Sequence, residues 1–213
     1  MELHFYPGQN LLVVLKSNKP VAKFEAMGGP EKIGEDPRMA EEPTWPGKYI
    51  IEKVEAYRTP TWRYSKLAWG TKLKPTPGKT DVWYQLKSGK WGSLNQLFGL
   101  NDTQSLVKSL NKQYYGKSEI PATWLFNDFG PLAIRWFKDI NGNGILDGKE
   151  TLSGQMFHTT PENEAEKETG NPVRLVHSHG CIHLKPNDRD RMMAIGAFKK
   201  GTIFTVHKYH ERY

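Results

Sequence analysis

The sequence predicts a mainly β fold with two helices, folded as a single domain over residues 1–213. Three observations carry this. Short apolar runs bounded by Gly, Pro and Asn recur through the first sixty residues and again after residue 130. Only two segments combine a capping residue with a helical apolar period. No linker, repeat or low-complexity tract divides the chain.

In chain order, Leu11–Val14 and Val21–Phe24 read as strands around a Ser17-Asn18-Lys19-Pro20 turn. Met27-Gly28-Gly29-Pro30 ends the pair, and a polar, Pro-rich loop runs to Pro46-Gly47. Lys48–Val54 resumes as a strand. Further turn chemistry over Gly70–Lys90 surrounds the strand-like Val82-Trp83-Tyr84. Asp102 or Thr103 caps a helix over Gln104–Tyr114, with Leu106, Val107 and Leu110 on one face and Gly116 as its stop. Ala133–Lys138 and Thr151–His158 read as strands. Asn187 or Asp188 caps a second helix over Arg189–Lys199, with Met192, Met193, Ile195 and Phe198 inward and Gly201 at its end. Thr202–Lys208 is the final strand.

Composition excludes several classes. Aromatic residues at 12% supply enough apolar surface to offset chain entropy, so the chain is not disordered. One cysteine excludes an intrachain disulfide framework and a multi-cysteine zinc knuckle. No apolar run approaches the roughly 20 residues of a membrane span. Met1–Tyr6 lacks the basic start and apolar stretch of a signal peptide. The chain is then cytoplasmic, or its export signal has been removed, or it leaves by a route that needs none. The 30 Lys+Arg and 23 Asp+Glu give a net charge of +7. These charges interleave without a run of five, so no nucleic-acid partner is expected. A diffuse basic surface suits other polyanions, or simply keeps the chain soluble.

The cysteine stands in Val176-His177-Ser178-His179-Gly180-Cys181-Ile182-His183-Leu184. A thiol is a strong nucleophile as a thiolate, and a nearby imidazole is the usual means of making one. Gly180 permits close backbone approach and a turn that aligns amide N–H groups as an oxyanion hole. A base from a distant segment can serve, and His158, ending a strand-like stretch, is the candidate. A metal site competes. His177, His179, Cys181 and His183 alternate, and on a regular strand all four share one face with the right ligand types for zinc. A buried, inert cysteine is the plainer third reading.

Ser178-His179-Gly180-Cys181 resembles the signature of the L,D-transpeptidase family, the YkuD-type catalytic domain of peptidoglycan enzymes. Leu11–Gly29 is similar to that family's opening hairpin. Trp45-Pro46-Gly47-Lys48-Tyr49-Ile50-Ile51 is similar to its Thr-Pro-x-Gly-x-Tyr strand, with Trp45 in place of Thr. The last helix and Lys200-Gly201-Thr202-Ile203-Phe204-Thr205-Val206 resemble its closing segment. The resemblance implies a β-sandwich catalytic domain with Cys181 as nucleophile and His158 as base. It places Thr159 where a backbone group fixes the imidazole, and Ser178 and His179 at the motif positions. It makes the N–H groups of Gly180 and Cys181 the oxyanion donors. Two departures stand out. The 19 residues between His158 and Ser178 exceed the usual spacer, with Glu162–Gly170 as the apparent insertion and an altered lid as its reading. His183 replaces the usual Arg or Asn, which bears on acceptor recognition.

A second motif lies outside the resemblance. Asp139-Ile140-Asn141-Gly142-Asn143-Gly144-Ile145-Leu146-Asp147-Gly148-Lys149-Glu150 fits a twelve-residue calcium loop. Asp139, Asn141, Asn143, Asp147 and Glu150 offer side-chain oxygens, Ile145 its carbonyl, and Gly144 the sharp turn. A long Asn-Gly hairpin turn without metal is the competing reading. Calcium here would be structural, and no organic cofactor is expected.

The function that follows is a cysteine acyltransferase acting on peptidoglycan stem peptides, forming 3→3 cross-links through a thioester. Water as acceptor gives an L,D-carboxypeptidase, and a free D-amino acid gives exchange. The same site in a secreted antibacterial effector is a rival, as is a calcium-dependent wall-binding module without catalysis. The expected setting is the periplasm or cell envelope, as a monomer. Trp62, Tyr64, Trp69, Trp83 and Tyr84 either wall a cleft or pack.

Overall fold

The computed structural model describes residues 1–36, 40–78 and 80–213. In chain order the strands and helices are β1 (Glu2–Tyr6), β2 (Leu11–Lys16), β3 (Lys19–Met27), β4 (Gly47–Glu55), β5 (Leu73–Pro75), β6 (Val82–Gln85), β7 (Trp91–Ser93), α1 (Leu94–Phe98), α2 (Thr103–Tyr115), β8 (Ala133–Phe137), β9 (Leu152–His158), α3 (Pro161–Thr169), β10 (Ile182–Leu184), α4 (Pro186–Ala194) and β11 (Ile203–Val206). The chain forms two compact units. The first comprises Met1–Glu55, Ala133–Thr159 and Val173–Tyr213, the second Ala56–Leu132 and Thr160–Pro172.

In the first unit, eight described strands close into a barrel in the order β1-β11-β4-β8-β9-β10-β3-β2. The β2–β3 hairpin starts it. Ser17 and Asn18 both take positive φ, 50° and 58°, the conformation whose twist suits a two-residue hairpin. Closure is made by β1, which pairs antiparallel with β2 and parallel with β11. This corrects the β-sandwich expectation: a sandwich leaves sheet edges, and here each strand has two neighbours. Leu3 and Phe5 of β1 are fully buried, while Glu2 and His4 alternate outward. Trp136 meets Phe157 and Phe204 edge-on, each at 5.0 Å between ring centres, and Phe157 lies 4.7 Å from Phe204. Burying a phenylalanine ring stabilises by roughly 1.5–3 kcal/mol, and the larger indole by more, before chain entropy is set against it.

In the second unit, a β5-β6-β7 sheet carries α1, α2 and α3. Leu73, Val82, Leu94, Phe98, Val107, Leu110, Trp124 and Phe126 form its core. Helix α2 starts and stops where its capping residues direct. Asp102 accepts the Ser105 N–H, and Gly116, at φ 69°, closes the last turn onto Asn111 and Lys112 carbonyls.

Four described helices replace the two expected. Helix α1 is five residues long, too short to show a period. Glu162–Gly170, read as a polar insertion, is mostly α3. Thr160 accepts the Asn163 N–H, Pro161 sits in the first turn, and Gly170 caps the end. Helix α4 runs earlier than expected. Pro186 pre-sets its first turn, and Gly196, at φ 75°, ends it before Gly201. Met193 and Ile195, expected inward, are exposed. The Pro-rich loop before Gly47 has no regular structure where described; its residues 37–39, and residue 79 of the Gly70–Lys90 turn region, lie outside the described residues.

Candidate active site

Strands β9 and β10 run parallel, with Phe157 beside Ile182 and His158 beside His183. Phe157 and Ile182 are fully buried. Alternation places Met156, His158 and His183 on the opposite face of this wall, and Cys181 stands one residue before β10. Segments distant in sequence thus bring the cysteine and the candidate base to neighbouring strands.

His158 is buried. Its Nδ1 lies 2.8 Å from the Thr159 carbonyl oxygen. A carbonyl only accepts, so Nδ1 carries the proton and Nε2 presents the lone pair of the neutral ring. The His183 ring stands edge-on to His158 with centres 4.8 Å apart, and its own Nδ1 lies 2.9 Å from the Val176 carbonyl. Burial, then the neighbouring His183, pushes His158 down to about 3, against the opposing pull of Thr159.

Cys181 is half-buried as a residue, and its sulfur lies against β9, where the Met156 N–H donates to it. Burial pushes the thiol up to about 11, while the Met156 N–H and the Arg135 charge favour the thiolate. Arg135 sits on β8 beside Met156, donating to the Ser153 carbonyl at 2.9 Å and pairing with Glu55 at 3.3 Å. At neutral pH the resting pair is therefore a thiol and a neutral imidazole.

The turn into β10 is held from within and from outside. Gly180 N–H donates to Ser178 Oγ at 3.1 Å, and Ser178 Oγ donates to the Cys181 carbonyl. The Gly180 N–H, expected as an oxyanion donor, is engaged inside the turn. Gly180 has φ 98°, and a Cβ there would overlap the Gln155 side-chain amide. The hydroxyl of buried Thr44 donates to the Gly180 carbonyl at 2.9 Å and accepts the Gly29 N–H at 3.2 Å. Gly28 accepts from Ser178 N–H at 3.3 Å and from His177 Nδ1 at 3.2 Å. Gln155 bonds the segment that carries Thr44, donating to Pro43 O and accepting from Trp45 N–H.

Of the residues named from sequence, Cys181, His158, Thr159, Ser178 and Gly180 assemble here. His179 is exposed, and the four alternating residues diverge: His177 binds Gly28, His183 binds Val176, and Cys181 faces Met156. The sequence reading passed over Thr44, Gln155 and Arg135. Thr44 was the most findable, since it stands one place before Trp45 in the strand motif. Arg135 and Gln155 carry no local signal.

In the loop at 139–150, Asp139 accepts from Gly142 and Gly144 N–H, and Glu150 from Ile140 N–H at 2.6 Å. The amides of Asn141 and Asn143 donate to Asp147 at 3.0 and 2.8 Å. Among the described residues, no three His, Cys, Asp or Glu side chains gather as a metal site. No described helix is long and apolar enough to cross a membrane.

Compared with known proteins, the chain matches no curated protein. Among solved structures it is similar to the L,D-transpeptidase (residues 123-326) from Xylanimonas cellulosilytica DSM 15894, at 9% identity and a TM-score of 0.40. That match covers 96% of this chain and 59% of the other. The family model of the YkuD L,D-transpeptidase catalytic domain matches residues 5–195. On that match, which spans most of its length, the chain belongs to the YkuD family of L,D-transpeptidase catalytic domains.

Proposed function

We propose that this chain is a peptidoglycan L,D-transpeptidase with Cys181 as nucleophile and His158 as base. What supports the reading is the parallel pairing of β9 and β10, with the Cys181 sulfur against the Met156 N–H, His158 two residues further along β9, and the His158 Nδ1–H held by the Thr159 carbonyl. With a neutral thiol and a neutral imidazole at rest, His158 takes the Cys181 proton in the course of attack. Sγ bonds to the stem-peptide carbonyl as its proton passes to His158 Nε2. The Cys181 N–H is the remaining backbone donor proposed for the oxyanion. Collapse breaks the C–N bond, and D-alanine leaves with the proton from His158. The side-chain amine of a second stem then attacks the thioester, returns a proton through His158 and restores the thiol. The product is a 3→3 cross-link, made outside the cytoplasm.

Mass spectrometry of muropeptides after incubation with the purified protein tests this reading. Cross-linked dimers with loss of D-alanine are expected. Tripeptides alone would replace the amine acceptor by water, and unchanged muropeptides would overturn the activity.

The proposal includes calcium in the 139–150 loop, supported by the ligand pattern in the sequence. Binding requires Asn141 and Asn143 to release Asp147 and turn their oxygens inward. An ion that binds only the folded chain stabilises it by about 2.7 kcal/mol at a hundredfold excess over its dissociation constant. Chelation should lower the melting temperature, and Glu150→Ala should remove most of that difference. A melting curve indifferent to millimolar calcium would leave the loop an ordinary turn.

A further inference from the structure

The small sheet of the second unit has two unlike faces. Leu73, Tyr84 and Gly92 align across β5, β6 and β7, and Leu73 is buried on that side. Lys74, Trp83 and Ser93 align on the other, followed by Gln85 and Trp91, with Lys72 bonded to Gln85 through the backbone. A solvent-facing antiparallel sheet is ordinarily polar. Here Trp83 is 39% exposed, and Lys74 Nζ lies 5.2 Å from its ring centre and 4.1 Å from that of Trp91. Two indoles thus flank one ammonium. The face runs into a cleft of about 700 Å³ lined by Lys74, Thr76, Pro77, Thr80, Asp81 and Trp83.

We propose that this face binds the amino-sugar strand of the polymer whose stem peptides the proposed active site takes, at sugars that have lost their stem peptide and so expose a free carboxylate. The identity of that polymer rests on the function proposed above. A pyranose ring has apolar C–H faces and hydroxyl edges. The faces stack on Trp83 and Trp91, the edges meet Thr80, Gln85 and Ser93, and Lys72 and Lys74 complement sugar carboxylates. A protein partner fits less well, because interface cores are depleted of lysine and these cations interrupt the apolar surface. Single-stranded nucleic acid also stacks on indoles, but the chain's basic residues are interleaved with acids and form no track.

The test uses glycan strands stripped of their stem peptides by an amidase, which carry free carboxylates and no acyl donor. Wild-type chain is expected to bind them in a fluorescence titration. Trp83→Ala and Trp91→Ala should each weaken binding roughly tenfold or more. Lys74→Gln should weaken binding to these strands more than to neutral N-acetylglucosamine oligomers. Trp83→Phe, which keeps a stacking ring, should retain most of the binding, and melting curves identify any variant that fails to fold. Absent binding by wild type, equal binding by the double Trp variant, or tighter binding of a single-stranded oligonucleotide to this face would overturn the proposal. Muropeptides left unchanged by a chain that binds stripped strands would overturn the transpeptidase reading alone. Cross-linking by a chain that ignores stripped strands would overturn the glycan platform alone.

Discussion

Cys181→Ala is expected to abolish turnover and to leave no covalent adduct when the protein is incubated with a carbapenem, whose reactive acyl group resembles the donor. The loss should be at least about 10³-fold, because the carbon–sulfur bond of the acyl-enzyme has no substitute. The variant should remain folded, since losing one half-buried sulfur costs about 1 kcal/mol. His158→Gln should approach the same rate loss, and the double variant should add little, as expected of groups that act as one unit. Intact-mass measurement follows adduct formation directly. Normal adduct formation by Cys181→Ala would sink the nucleophile assignment. A larger loss in His183→Gln than in His158→Gln would transfer the role of base to His183, which stands edge-on beside it.

Stability should show a plateau between about pH 6.5 and 9 that both site residues help to bound. The unfolded chain protonates His158 near its ordinary value of 6.5, the folded chain only near 3. Below pH 6.5 the unfolded state binds more protons, so stability falls by about 1.4 kcal/mol per pH unit until protonation of the folded state begins. Cys181 acts at the other end. Its thiol ionises near 9.0 when unfolded and near 11 when folded. Above pH 9 the unfolded state binds fewer protons, and stability falls again as pH rises. Melting-temperature series separate the two. His158→Gln should flatten the acid limb relative to wild type and leave the alkaline limb. Cys181→Ala should do the reverse. An acid limb unchanged by His158→Gln would mean that the imidazole is solvated rather than buried.

The same pair shows what was legible in advance. Residue type and spacing around Cys181 are local, and so is the chemistry that a thiol among histidines suggests. The Asp102 and Gly116 ends of α2 and the Ser17-Asn18 turn are local as well, because caps and tight turns satisfy backbone groups a few residues away. The sequence by itself therefore determined the mainly β character, the hairpin, the longest helix and the segment to search for a nucleophile.

Tertiary structure decided the rest, in places where partners are far apart in the chain. Barrel closure depends on β1 lying beside β11, and five residues with Glu2 and His4 in alternate positions do not announce a strand that pairs across the whole chain. Helix α3 has Ala165 as its one buried alkyl side chain beyond Pro161, so no apolar period marks it. At the site, Gly180 is an oxyanion candidate by motif, but Ser178 takes its N–H, and Gln155 and Thr44 hold the turn from segments 25 and 136 residues away. The displaced ionisation of Cys181 and His158 is likewise tertiary. Side-chain identity sets their ordinary ionisation, but burial in the wall of β9 and β10 moves both away from it, and for His158 the second imidazole placed there by strand register adds to the shift.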